Sequence, residues 1–68
     1  MINLNKLRGR IAEQGLTQGE VAKALGISRN TWLRRMRTGI FMNTEMDVLI
    51  EILGIENPQT IFFAHLVA

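Results

Sequence analysis

Residues 17–37 read TQGEVAKALGISRNTWLRRMR. Two helix starts, a glycine between them and four arginines share this one short stretch. Thr17 and Glu20 have the T-x-x-E spacing of a capping box, in which hydroxyl and carboxylate each satisfy an orphan amide, and Leu16 can staple onto Val21. Val21, Ala22 and Leu25 then repeat at helical spacing. Gly26 stands where a left-handed residue ends a helix at little cost. Two residues later Ser28 is a fit N-cap, with Ile27 placed to staple onto Trp32. This second helix is expected to run to about Thr38, where Gly39 stops it. Two short helices joined by a tight glycine-containing turn predict a helix-turn-helix over about residues 17–38.

The outward face of the second helix decides what such a motif is for. Taking Trp32 as 0° and about 100° per residue, Met36 falls at about 40°, so this pair is the inward stripe. Arg37, Asn30 and Arg34 fall opposite, at about 140°, 160° and 200°, with Leu33 on the flank at about 100°. Arg29 lies in the first turn, from which a long side chain can swing outward. No acid occurs from Ser28 to Gly39. Like charges on neighbouring turns repel, so a face of this kind expects its negative charge from outside the chain. Arg pairs bidentately with guanine, Asn with adenine, and an apolar group suits the thymine methyl.

Charge along the chain agrees. Residues 1–39 hold all eight Lys and Arg against Glu13 and Glu20, a formal +6; residues 40–68 hold Glu45, Asp47, Glu51 and Glu56 with no Lys or Arg, a formal −4. Such asymmetry points to a polyanion-binding half.

Working outward, the remaining segments are also helical in pattern. Leu4, Leu7 and Ile11, with Ala12 alongside, predict a first helix over about 4–14, capped by Asn3 and stopped by Gly15. Lys6, Arg8 and Arg10 are expected on its outer faces. Gly9 inside it costs about 1 kcal/mol against Ala, which suggests close packing or approach to something. Met46, Leu49, Ile50 and Leu53 predict a helix over about 44–53, with Asn43 or Thr44 as cap and Gly54 as stop. Asn57 and Pro58 read as cap and first position of a short fifth helix through Ile61 and Phe62 or Phe63. Strand signals are poor. The predicted fold is all-α, one domain over 1–68, a compact bundle of five short helices.

Sixty-eight residues without cysteine exclude a disulfide framework and a thiolate metal site. A domain this small is marginal alone, so oligomerisation is the expected extra source of stability. Phe62 and Phe63 are adjacent and one helical face does not bury both; the other is a candidate dimer contact. The N-terminus lacks a signal-peptide core, and IFFAHLVA (61–68) is far shorter than a membrane span. A soluble cytoplasmic protein is expected, with no membrane partner. His65 is alone in an apolar tail. Glu45, Asp47 and Glu51 are expected around one exposed helix, with no nucleophile or oxyanion donor nearby. No phosphate loop, dinucleotide fingerprint or metal spacing occurs, so no enzyme, cofactor or small-molecule substrate is expected.

TQGEVAKALGISRNTWLRRM resembles the helix-turn-helix of the phage repressor family, the Cro-type and lambda-repressor-like DNA-binding domains. The shared marks are Gln18 opening the first motif helix, Ala22 packed against the second, apolar Leu25, Gly26 in the turn, Ile27 after it, and Trp32 inside the recognition helix. FMNTEMDVLIEILGIENPQTIFFA (41–64) resembles the ending of short phage or prophage regulators of the same family. The resemblance implies base contacts from Arg29, Asn30, Leu33 and Arg34. It implies phosphate contacts from Gln18, Ser28, Arg35 and Arg37. Arg35 departs from the family pattern, in which that position is often apolar, and Met36 takes over the packing. The implied function is an operator-binding repressor in a bacterial host cell, associated with the nucleoid and dimeric at least on DNA. An alternative reading is a modulator that associates with a partner repressor through the acidic C-terminal half.

Overall fold

Side-chain caps begin the first three helices, as the local signals require. In a computed structural model of the protein, which describes residues 2–62, the helices are α1 (Leu4–Glu13), α2 (Gln18–Leu25), α3 (Arg29–Thr38), α4 (Asn43–Leu53) and α5 (Gln59–Phe62). Asn3 accepts from the Lys6 amide at 3.1 Å. The Thr17 hydroxyl accepts from the Glu20 amide at 3.1 Å, and the Glu20 carboxylate accepts from the Thr17 amide at 2.9 Å. Ser28 accepts from the Thr31 amide at 3.1 Å. Gly26 ends α2 with φ 72°, a conformation that costs an L side chain roughly 1–2 kcal/mol. This lets the chain reverse within Gly26–Ser28 and start α3.

Two helix starts differ from expectation. Neither Asn43 nor Thr44 caps α4. Its N-cap is Met42, which has no side-chain oxygen, and the Glu45 carboxylate reaches back to accept from the Met42 amide at 2.8 Å. That is the carboxylate half of a capping box without the hydroxyl half. Helix α5 starts at Gln59, one residue later than expected, because Asn57 and Pro58 form the turn before it. The Pro58 carbonyl accepts from the Ile61 and Phe62 amides at 3.1 and 2.8 Å.

The bundle closes around Trp32. Leu7 and Ile11 from α1, Val21 and Ala22 from α2, Trp32 and Met36 from α3, and Leu49 and Leu53 from α4 are buried together with Phe41, Ile55, Ile61 and Phe62. Trp32 is 0% exposed and meets Phe41 edge to face, with ring centroids 5.7 Å apart at 64°, a geometry aromatic quadrupoles favour. Helix α2 packs on α3 and α4, and α1 packs on α5. The radius of gyration of 11.1 Å matches the ~11 Å of a folded chain this long. Phe62 lies in this core, 2% exposed, and is the one of the two adjacent phenylalanines that completes it. Phe63 and His65 lie outside the described residues. Among the described residues there is no strand, and no helix is long and apolar enough to cross a membrane.

Arg10 departs from its expected solvent-facing role. Its Nε donates to the Leu53 carbonyl at 2.7 Å and its Nη2 to the Gly54 carbonyl at 3.2 Å, while Nη1 pairs with Glu13 at 3.2 Å. The guanidinium therefore satisfies orphan carbonyls at the end of α4, where the helix dipole favours a cation. Gly9 departs from the close-packing half of its expectation. A Cβ there would meet nothing within 4 Å, and the residue is exposed, so no close neighbour demands glycine.

Candidate nucleic-acid interface

Helix α3 sorts its side chains by the period of the helix. Trp32 and Met36 are buried, and Arg29, Asn30, Leu33, Arg34 and Arg37 are exposed. Asn30, Thr31, Leu33, Arg34 and Arg37 line one open concavity of about 390 Å³. Leu33 is 45% exposed there, an apolar group among three polar ones and a threonine. Thus three of the four base-contact candidates share one surface with Arg37. Arg29 is exposed in the first turn but is not part of the concavity lining. Thr31 does line it and was not anticipated. Its helical angle, about 100° beyond Asn30, was the available signal.

The expected phosphate-contact set is less uniform. Gln18 is half-buried, and its Oε1 accepts from the Trp32 indole N–H at 2.9 Å. Indole is a donor only, so this bond assigns the amide: oxygen toward Trp32, NH2 directed away. The first residue of α2 is thereby tied to the buried seam of α3. Ser28 caps α3, and its own hydroxyl proton goes to the Thr31 hydroxyl at 2.9 Å. A phosphate would compete with Thr31 for it. Arg37 is exposed at the last turn of α3.

Arg35 is not an open surface cation. Its Nε donates to both oxygens of Glu45, at 2.9 and 3.3 Å, and its side chain is 23% exposed. Glu45, expected on an exposed helix, is instead buried at 6% exposure. Burial pushes the Glu45 carboxyl up, but the hydrogen bonds from Arg35 and the Met42 amide, with the Arg35 charge, outweigh it. The net result is a pKa below the ordinary carboxylate value. One carboxylate thus starts α4 and holds α3. Its signals in the sequence were the three-residue spacing from Met42 to Glu45 and the charged residue at an apolar-type position, Arg35. Asp47 and Glu51 are exposed as expected.

With two helices joined by a left-handed glycine, an indole seating the second on the bundle and three exposed arginines on that helix, the arrangement offers donors without a matching acid. Nothing among protein-family models, curated proteins or solved structures matches this chain.

Proposed function

We propose that the protein is a sequence-specific double-stranded DNA-binding transcriptional regulator, a Cro-like repressor of the phage or prophage type. One observation carries the reading: the face of α3 turned from the core presents Asn30, Leu33, Arg34 and Arg37 around one concavity, with no acid from Ser28 to Gly39. In the major groove Arg34 would pair with guanine O6 and N7, Asn30 with adenine N6 and N7, and Leu33 would pack on a thymine methyl. Arg29 reads a base edge at the helix start. Arg37 and the Gln18 NH2 suit phosphate oxygens, which fix register without reading sequence. Helices α4 and α5, in the acidic half, face away from the duplex on this reading.

One recognition helix reads only a few base pairs. A homodimer on a roughly two-fold symmetric operator, with half-sites ~34 Å apart, supplies the rest. Occupying an operator within a promoter denies it to polymerase, so repression is steric.

The test is selection of bound fragments from genomic DNA, alignment of the winners, and gel shifts on the resulting site. A two-fold symmetric consensus bound by the protein alone supports the reading. Arg34→Ala should cost ~1–3 kcal/mol and relax preference at one base pair per half-site. An equal loss on every sequence would point to nonspecific coating instead. Binding seen only with a neighbouring repressor added would favour the modulator role.

A further inference from the structure

The Arg35–Glu45 pair divides one guanidinium between two tasks. Its Nε edge is spent on Glu45. The four N–H donors on Nη1 and Nη2 have no hydrogen-bond partner among the described residues. No buried side-chain nitrogen or oxygen among those residues lacks a partner, so these two nitrogens reach the surface. Behind them the Glu45 side chain is 7% exposed and is itself anchored by the Met42 amide. Arg35 is therefore a guanidinium with a fixed inner edge and an open outer edge.

Its position on the helix limits what that outer edge can meet. Arg35 lies about 60° from Trp32 on the side opposite Met36, and about 100° round from Arg34. It flanks the concavity instead of lining it, which puts it beside a groove and not in it. The group found beside a groove is the phosphate backbone, and the fork of a guanidinium matches two phosphate oxygens.

We propose that Glu45 is a positioning residue for DNA binding: it orients Arg35 as a pre-set clamp for one backbone phosphate on the α4 side of the groove. This rests on the DNA-binding reading and extends it to a residue of the acidic half. A long arginine held by a buried carboxylate has less rotamer freedom to lose when the phosphate arrives. The contact carries no base preference, so its contribution is the same on operator and on unrelated duplex.

The sign of one substitution tests the idea. Glu45→Gln removes a negative charge, and electrostatics alone predicts tighter DNA binding. The clamp predicts weaker binding, by about 3- to 10-fold, the scale of one ordinary net hydrogen bond, on operator and unrelated duplex alike. Glu51→Gln, the same charge change at an exposed site on α4, should leave affinity equal or slightly tighter. Glutamine keeps the size and an acceptor for the Met42 amide, and helical circular dichroism with a melting curve checks that the variant folds. A scan of operators carrying one uncharged methylphosphonate each then locates the phosphate. One position should weaken wild-type binding and leave Glu45→Gln unaffected, a result that a merely structural role for Glu45 does not produce. Glu45→Gln binding as tightly as wild type or tighter overturns the clamp, as does weakening with no such phosphate. Failure of the wild type to bind any selected duplex overturns the DNA-binding reading itself, a separate outcome.

Discussion

Replacing Gln18 by alanine isolates a contact whose two possible meanings differ in what they predict for stability. If Gln18 serves only a DNA phosphate, the free protein loses nothing. Alanine is even the better helix former, by a few tenths of a kcal/mol. The 2.9 Å bond from the Trp32 indole gives the opposite expectation. Trp32 is 0% exposed, so removing the acceptor strands its N–H in an apolar core. An orphaned buried donor costs about 1–3 kcal/mol, and Gln18 is half-buried, so water reaches part of the vacated space and the middle of the range is expected. For a domain this size ~2 kcal/mol lowers Tm by roughly 8–16 °C, against a total stability of only about 3–10 kcal/mol. The assay is urea unfolding followed by fluorescence, for which Trp32 is the one tryptophan in the chain. Trp32→Phe, alone and combined with Gln18→Ala, completes a cycle followed by circular dichroism. With the indole donor gone, Gln18→Ala should cost little further. Unchanged unfolding of Gln18→Ala, or full additivity in the cycle, would refute the claim that this bond seats α3.

Two further expectations concern stability. The Glu45 carboxyl is depressed in the folded protein, so its contribution is present above the unfolded carboxylate pKa of about 4.3 and is lost as pH falls through the folded value. Melting temperature should therefore fall on acidification below about pH 4.3 by more in the wild type than in Glu45→Gln; parallel curves would show that the carboxylate contributes nothing. Gly9→Ala should raise stability by about 0.5–1 kcal/mol, since Gly9 is helical and exposed and the new Cβ meets nothing within 4 Å; a lower denaturation midpoint would contradict that geometry.

The starts of α1, α2 and α3 and the inward stripe of α3 were legible in the sequence because both are local. Thr17 with Glu20, Ser28 with Thr31 and Asn3 with Lys6 each act across three residues, within reach of pattern reading. The core side of α3 follows from a period that Trp32 and Met36 declare by themselves. The tertiary roles of Arg10, Gln18 and Arg35 were not legible. Their partners lie 43, 14 and 10 residues away, and no periodicity pairs a side chain with a carbonyl or carboxylate on another helix. Pattern alone places each of the three at solvent or DNA, because a polar side chain on a helix is ordinarily solvated; for Gln18 and Arg35 the internal contact is an additional role.

These internal partners alter the distribution of charge. Counting residues assigns +6 to the first 39 positions. Two of those cations are engaged within the fold: Arg10 sits on the last carbonyls of α4 with Glu13 beside it, and Arg35 is matched by buried Glu45. The basic surface is therefore smaller than the count implies, with Arg29, Arg34 and Arg37 together on α3 and Lys6, Arg8 and Lys23 exposed outside it. Neither engagement involves Arg29, Arg34 or Arg37, which form no ion pair with an acid among the described residues. A diffuse basic half would attract any polyanion. Three exposed cations on one helix face, with an amide and an apolar side chain set among them, suit a partner whose charges and base edges recur along a groove.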